Sequence, residues 1–164
     1  MDLILWRHAE AVDEHDPDLA TDLLRPLTPK GERQAARMAE WLHRYLPAST
    51  RVLVSPALRC QQTAAALERR FKTVEALGPA GTADALLSAT RWPDALEPVL
   101  VIGHQPTLGL AAAYLMTGPR LAALEGAQLP PWSIRKGAVW WLRHRPREER
   151  GEVVLVAVRT PEMV

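Results

Sequence analysis

The fold class of this chain is decided by the stretch LILWRHAE at residues 3–10. Its four leading apolar residues are typical of a strand that is buried on both faces, as in a parallel sheet. An arginine and a histidine, Arg7 and His8, follow at the point where open α/β sheets place their ligand sites. The opening of the sequence therefore predicts a parallel sheet with a polar site at its carboxyl edge.

The rest of the chain alternates short apolar runs with longer stretches of helical periodicity, which is the pattern of βαβ units. Further strands are predicted over Arg51–Val54, Thr73–Ala76, Val99–Ile102, Gly137–Arg143 and Glu152–Arg159. Helices are predicted over Lys30–Tyr45, Ala57–Phe71, Ala83–Trp92 and Thr107–Met116. Because a charged turn joins the last two strands, we expect them to form an antiparallel hairpin at the edge. The predicted fold is a three-layer α/β/α architecture with a mostly parallel central sheet and an antiparallel edge.

Short polar residues mark where the first two helices are expected to begin. Thr28-Pro29 and Ser55-Pro56 each place a hydroxyl at a predicted N-cap and a proline at the first helical position. The segment 119–133 contains Gly126 and several prolines without any periodicity, so we expect a loop there that forms the rim of a pocket.

The size, charge and cysteine content exclude several classes of protein. A chain of 164 residues has the length of one domain, here residues 1–164. Its formal net charge of +1 supplies no electrostatic footprint for nucleic acid or for a membrane surface. No apolar run reaches the roughly 18 residues that a membrane span needs, and the single cysteine, Cys60, excludes an internal disulfide. We therefore expect a cytoplasmic protein whose function comes from local sites.

Histidines and arginines cluster in the segments that follow the predicted strands. Parallel strands bring such segments to one edge of the sheet. A guanidinium presents a planar fork of donors that suits phosphate oxygens, and a neutral imidazole is a competent nucleophile near neutral pH. The sequence therefore predicts an anion pocket that contains both kinds of side chain. The residues concerned are Arg7, His8, Arg25, Arg59 and His104.

Each of these residues also has an ordinary structural interpretation. An Arg-His pair occurs by chance, as Arg143-His144 shows in the same chain. Arg59 is compatible with a solvated helix position, and Glu10 with a carboxylate in the first turn of a helix. Only the combination of motifs, in their order along the chain, favours a specific chemistry.

That combination resembles the histidine phosphatase superfamily, which has the phosphoglycerate mutase-like fold. The superfamily carries the patterns Arg-His-Gly/Ala-Glu/Asp, Arg-Pro-Leu-Thr-x-x-Gly and Ser-Pro-x-x-Arg-x-x-x-Thr, followed by a late histidine. The counterparts here are Arg7-His8-Ala9-Glu10, Arg25-Pro26-Leu27-Thr28 with Gly31, Ser55-Pro56 with Arg59 and Thr63, and Gly103-His104. Only about two dozen residues separate the third and fourth predicted strands, a short crossover. In this respect the chain resembles the compact SixA-type phosphohistidine phosphatases and not the larger relatives, which carry a helical insertion.

Carried over by position, the resemblance implies a phosphohydrolase with a covalent phosphohistidine intermediate. His8 would attack phosphorus, Arg7 and Arg59 would bind the phosphoryl oxygens, and His104 would help to stabilise the transferring group. Phosphoryl transfer of this kind needs positioned positive charge, and the resemblance implies no metal and no cofactor. The implied substrate is a phosphorylated protein, in particular one that carries phosphohistidine, or a small phosphorylated metabolite. The implied substrate-binding residues are Arg25, Glu10 and Ser55.

The resemblance leaves the general acid unassigned. Many members of the superfamily protonate the leaving oxygen with a carboxylic acid that lies in or near the segment after the third strand. Here Glu75 lies inside the predicted third strand and Asp84 inside the predicted helix that follows. The spacing therefore assigns the role to neither residue.

Three alternatives stay open beside this interpretation. A mutase of the same superfamily would return the phosphoryl group to a second hydroxyl, although the chain is short for the closed pocket that this requires. A metal hydrolase would use imidazoles and carboxylates as zinc ligands, against the electrostatic cost of arginines beside a metal. A nucleic-acid-binding module would use a basic and aromatic surface. The candidate metal ligands are His8, Glu10, His15 and His104, and the candidate surface residues are Trp140, Trp141, Arg143, His144, Arg145 and Arg147.

Overall fold

A six-stranded sheet forms the centre of the computed structural model, which describes residues 1–13, 19–118, 130–147 and 151–164. The strands are β1 (Asp2–Arg7), β2 (Arg51–Val54), β3 (Lys72–Thr73), β4 (Val99–Gly103), β5 (Val139–Arg145) and β6 (Glu152–Arg159). The helices are α1 (Leu19–Leu23), α2 (Pro29–Tyr45), α3 (Leu58–Ala65), α4 (Ala83–Thr90) and α5 (Thr107–Thr117), with a 3-10 turn over Glu75–Leu77.

The strand order is β3-β2-β4-β1-β5-β6. The first four strands run parallel, and β5 and β6 add an antiparallel edge next to β1. Arg7 pairs with Gly103 in register, and Val54 pairs with Ile102. The carboxyl ends of β1, β2 and β4 therefore lie side by side, as the predicted fold requires.

Helices cover both faces of the sheet, and β1 shows why. Its side chains alternate between the faces: Ile4 and Trp6 join one buried cluster with residues of α2 and α3, whereas Leu3 and Leu5 join another with residues of α4 and α5. A strand with two buried faces needs apolar residues at every position. The predicted three-layer α/β/α architecture with an antiparallel edge is confirmed.

The start of α2 follows from its first residues. Thr28 is the N-cap, its hydroxyl accepts a hydrogen bond from the Gly31 amide at 3.0 Å, and Pro29 occupies the first helical position. This confirms the predicted cap. No helix within the described residues is long and apolar enough to cross a membrane.

Two predicted elements were wrong in extent. The strand predicted over Thr73–Ala76 is reduced to two residues at the exposed edge of the sheet, after which the chain turns into the 3-10 turn that contains Glu75. The helix predicted over Ala57–Phe71 ends at Ala65, because the chain turns there and Glu68 adopts a positive φ of 50°. Its N-cap position is held by Ala57 and not by Ser55.

Smaller differences concern helix ends and a missed helix. The predicted helix Ala83–Trp92 ends at Thr90, where Arg91 takes a left-handed conformation. No sequence pattern predicted α1, which has only five residues. Most of the loop predicted over 119–133, and part of the charged turn before β6, lie outside the described residues.

Candidate active site

The loops after β1, β2 and β4 bring two histidines together at the carboxyl edge of the sheet. The His8 amide donates to the Gly103 carbonyl at 3.1 Å, which ties the first loop to the third. The rings of His8 and His104 lie 5.3 Å apart between centroids. Their exposed fractions are 6% and 4%, so the two imidazoles form the buried floor of a site.

The protonation of His8 follows from its hydrogen bond. Its Nδ1 lies 2.7 Å from the Ala9 carbonyl oxygen, which can only accept, so Nδ1 carries the proton. Burial, together with the nearby charges of Arg59 and Arg7, lowers the pKa of His8 to about 3. His8 is therefore a neutral imidazole at pH 7, with the lone pair on Nε2 available to an electrophile.

His104 is held on both sides of its ring. A guanidinium can only donate, so the 3.4 Å contact from Arg59 Nη2 directs a proton toward His104 Nδ1. His104 Nε2 then carries the ring proton and donates to the Ser55 hydroxyl oxygen at 2.7 Å. Burial lowers the pKa of His104 to about 3, and the charge of Arg59 contributes to that shift. The structure thus places Ser55 as the residue that orients His104.

Two guanidiniums in this site have hydrogen-bonding capacity left over. Arg7 donates through Nη1 to the Ile134 carbonyl at 2.8 Å. Nevertheless, the Nε groups of Arg7 and Arg59 are buried and have no hydrogen-bond partner in the part of the chain that the structure describes. Burying an unpartnered donor on a charged group is costly. These two groups therefore indicate a site that is completed by an anionic ligand.

Arg25 meets Arg59 through a carboxylate that the sequence analysis missed. Asp22, on α1, accepts from Arg25 Nε at 2.9 Å and from Arg59 Nη2 at 2.9 Å. Its main-chain carbonyl also accepts from Arg59 Nη1 at 2.6 Å. The signal available in the sequence was the i, i+3 spacing between Asp22 and Arg25, which is common in helices and gives no direction toward Arg59.

Glu10 lies in the loop after β1, and its carboxylate is engaged by residues at the start of α2. Its carboxylate accepts from the Thr28 hydroxyl at 3.0 Å and from Lys30 Nζ at 3.0 Å. A Cβ on Gly31 would lie 1.9 Å from the Glu10 carbonyl oxygen, so only glycine allows α2 to approach this loop. These contacts join α2 to the loop after β1, and substrate binding by Glu10 stays a prediction.

Thr63 and Cys60, on α3, complete the packing around the site. The Thr63 hydroxyl donates to the Arg59 carbonyl at 2.7 Å and accepts from the Ala9 amide at 3.1 Å. Thr63 therefore fixes α3 against the loop that carries His8. The Cys60 thiol lies 3.5 Å from His104 Nε2, and burial raises its pKa to about 12. The thiol is therefore uncharged at pH 7, which makes it a poor nucleophile.

Comparison with known proteins identifies the family. A model of the histidine phosphatase superfamily (branch 1) matches residues 3–78. The phosphohistidine phosphatase SixA of Escherichia coli strain K12 is 34% identical over 127 residues, which cover 72% of this chain and 76% of that protein. The chain belongs to the histidine phosphatase superfamily. The family and the enzyme class predicted from the motifs, a phosphatase, are thereby confirmed.

Solved structures of the histidine phosphatase superfamily share the fold over nearly the whole chain. A provisionally assigned phosphohistidine phosphatase SixA from Nakamurella multipartitia is 28% identical, covers 98% of this chain and 95% of its own, and gives a TM-score of 0.73. The protein histidine phosphatase SixA in complex with tungstate is 27% identical, with coverages of 98% and 97% and a TM-score of 0.69.

The two candidate acids of this histidine phosphatase lie at different places. Glu75 lies in the 3-10 turn and lines a cavity of about 360 Å³, together with Leu23 and Pro56. Leu23 and Pro56 directly follow Asp22 and Ser55 in the chain, so this cavity adjoins the site. Asp84 lies in the first turn of α4. The prediction that placed Glu75 inside a strand was wrong, because β3 ends before it.

The alternative sites receive no support from the described part of this histidine phosphatase. Within those residues, no group of three histidine, cysteine or acidic side chains is arranged to hold a metal ion. Glu10 is engaged by Thr28 and Lys30, and His15 lies outside the described residues. Trp140 and Trp141 belong to the buried clusters on opposite faces of the sheet, so they do not form one aromatic surface.

Proposed function

We propose that the protein is a phosphohistidine phosphatase that hydrolyses its substrate through a phosphorylated His8. The observation that carries this proposal is the neutral His8 ring, whose Nδ1 donates to the Ala9 carbonyl, beside two guanidiniums. Among the described residues, neither His8 Nε2 nor the buried Nε groups of Arg7 and Arg59 have a hydrogen-bond partner. The relative from Escherichia coli bears the name phosphohistidine phosphatase SixA, and a similar structure holds tungstate, a tetrahedral oxyanion.

In the first step, His8 Nε2 attacks phosphorus and forms a P–N bond. The bond between phosphorus and the leaving group breaks, and its electron pair goes to the leaving group. Arg7 and Arg59 donate N–H groups to the equatorial oxygens, where negative charge is held in the transition state. The His104 ring lies beside His8 and accepts a hydrogen bond from Arg59, through which it contributes to the same stabilisation.

In the second step, water attacks the phosphorylated His8. The new P–O bond replaces the P–N bond, His8 recovers its lone pair, and inorganic phosphate leaves with the proton lost by the water. The Nδ1 hydrogen bond to Ala9 keeps the ring in place through both steps. Arg25 and Ser55 act through their contacts with Asp22 and His104. None of these steps needs a metal ion or an organic cofactor.

The leaving group decides between two substrate classes. An alkoxide must be protonated as it departs, which requires a placed acid. In phosphohistidine the distal ring nitrogen takes a proton from solvent, so the imidazole leaves as a neutral molecule without help. The second candidate class, small phosphomonoesters, is favoured only by the position of Glu75 at the cavity beside the site.

A leaving-group series tests the proposal. We expect kcat/KM for a phosphohistidine protein or an aryl phosphate to exceed that for phosphoserine and sugar phosphates by about a hundredfold, the usual contribution of general acid catalysis. Glu75→Gln and Asp84→Asn should leave the preferred reaction unchanged. If kcat/KM hardly varies with leaving-group pKa in the wild type but varies strongly in Glu75→Gln, Glu75 acts as a general acid. The substrates are then ordinary phosphomonoesters. Phosphoryl exchange in place of phosphate release would indicate a mutase.

A further inference from the structure

Asp22 is the carboxylate on which two arginines of the site converge. It lies on α1, its side chain is 27% exposed, and it contacts a guanidinium of Arg59 that is only 3% exposed. Arg25 reaches the other carboxylate oxygen and also donates to the Val12 carbonyl at 2.9 Å. The buried Arg59 is therefore held by a partly exposed carboxylate that lies on α1.

The contacts with Asp22 use one particular edge of the Arg59 guanidinium. The two terminal nitrogens, Nη1 and Nη2, go to the main-chain carbonyl and the carboxylate of Asp22. The side edge, which consists of Nε and the second hydrogen of Nη2, lies toward His104. Nε on that edge is buried and unpartnered among the described residues. A guanidinium held at its end in this way presents Nε as the free donor of its side edge, beside the Nη2 hydrogen that goes to His104.

Asp22 also offsets part of the positive charge of the site. Burial by itself raises the pKa of the Asp22 carboxyl, but the hydrogen bonds from Arg25 and Arg59 hold it below its usual value. Asp22 is thus ionised at pH 7, and its charge opposes the effect of Arg59 on the pKa of His104. The cluster of one carboxylate and two guanidiniums keeps one net positive charge next to the imidazole.

We propose that Asp22 is a positioning residue that fixes the terminal edge of Arg59, so that the side edge meets the transferring phosphoryl group. Asp22 stays in place during the reaction and does not touch the substrate. This inference rests on the proposed function, because it assigns Asp22 to the same oxyanion site. It differs from a role in which the carboxylate occupies the oxyanion position and has to be displaced.

The test measures vanadate affinity, phosphohistidine turnover and melting temperature for Asp22→Asn. The uncharged amide keeps an acceptor oxygen for only one of the two guanidiniums, so the side-chain contact with Arg59 is weakened at constant size, while the main-chain contact with Nη1 remains. We expect vanadate to bind about tenfold more weakly, the order expected for loss of a hydrogen bond to a charged group. We expect kcat to fall more than KM rises, because the equatorial oxygens carry more charge in the transition state. Glu40→Gln, which removes an exposed ion pair with Arg44 on α2, is the matched control.

A double-mutant cycle separates positioning from folding. In an Arg59→Ala background, Asp22→Asn should change the vanadate affinity by less than about twofold, since its effect passes through Arg59. Asp22→Ala, measured in parallel, removes the acceptor without adding an amide and should behave in the same way.

Tighter vanadate binding by Asp22→Asn would overturn the inference and make Asp22 a competitor of the phosphoryl group. So would an unchanged affinity of both Asp22 variants while Arg59→Ala binds weakly, a result that leaves the proposed function standing. If Arg59→Ala binds vanadate as the wild type does, the oxyanion site itself is wrongly assigned and the inference fails with it.

Discussion

The dipeptide Arg-His occurs twice in this chain, at Arg7-His8 and at Arg143-His144, on neighbouring strands of one sheet. Arg143 is bonded through Nε and Nη2 to both carboxylate oxygens of Asp2, at 2.6 and 2.8 Å. Arg7, by contrast, keeps a buried Nε without a partner among the described residues. His144 packs edge-on against Trp92, with 5.7 Å between ring centroids.

The difference between the two pairs comes from their neighbours. Arg7-His8 ends a parallel strand, where loops from two more strands bring His104 and Arg59 close. Arg143-His144 lies on β5, which pairs antiparallel with both β1 and β6, and there a carboxylate satisfies the arginine and a ring covers the histidine. Unsatisfied donors next to an uncharged imidazole distinguish a site for an anion from a structural pair with the same sequence.

The largest expected difference between the two pairs concerns turnover. His8→Ala should reduce kcat to below about one hundredth of the wild-type value, because the covalent step loses its nucleophile. His144→Ala should stay within about twofold of the wild type, since its contacts are distant from the reacting atoms. Steady-state kinetics measures this difference. Rapid denaturation during turnover should also trap an acid-labile phosphate on the wild type but not on His8→Ala. Equal losses in both histidine variants would contradict the assignment.

A second contrast separates the two arginines. Arg7→Ala should lower kcat/KM by about a hundredfold, the scale of one lost donor to a developing oxyanion. Arg143→Ala should leave kcat/KM unchanged and reduce the free energy of unfolding by about 1 kcal/mol, because it removes a two-pronged ion pair with a mostly buried Asp2. Kinetics and urea denaturation on both variants test the contrast. An activity loss in Arg143→Ala as large as that in Arg7→Ala would remove it.

A third expected effect is on stability at acidic pH. The pKa values of His8 and His104 are about 3 in the folded protein, below the ordinary value of about 6.5 that applies after unfolding. Between these values the unfolded chain binds more protons, so the free energy of unfolding should fall as pH decreases. This difference in pKa corresponds to a loss of about 1.4 kcal/mol for each histidine on going from pH 7.5 to pH 5.5.

Urea denaturation at the two pH values measures this loss. His8→Asn should show a smaller pH dependence than the wild type, and the double variant His8→Asn/His104→Asn a smaller one still. A pH dependence that the substitutions leave unchanged would mean that the titrating groups lie elsewhere.

Sequence reasoning succeeded where the signal is local and repeated. The apolar runs that form β1, β2 and β4 are continuous. Thr28-Pro29 is a pattern typical of the start of a helix. Because parallel strands share an edge, the meeting of His8 with His104 followed from the same pattern. The strand predicted over Thr73–Ala76 failed because an exposed edge strand has few cross-strand contacts to extend it.

Other parts of the site had no signal that a single sequence could show. Arg7 donates to the main-chain carbonyl of Ile134. Because every residue has such a carbonyl, the sequence does not show which one Arg7 binds. Asp22 reaches Arg59 across 37 positions of the chain from a five-residue helix. The unpartnered Nε groups of Arg7 and Arg59 depend on what surrounds each side chain after folding. These features are consequences of tertiary packing, which local propensity does not encode.

The contact between α2 and the loop after β1 sets the mutational tolerance of positions 28–31. Gly31 faces the Glu10 main chain and Thr28 caps the helix, whereas Pro29 and Lys30 are exposed. In a library that randomises these four positions, we expect folded clones to keep the outer two residues and to diversify the inner two. Positions 28 and 31 are therefore constrained and positions 29 and 30 are variable. The two constrained positions are three residues apart because the first turn of the helix, about 3.6 residues long, brings both to the same side.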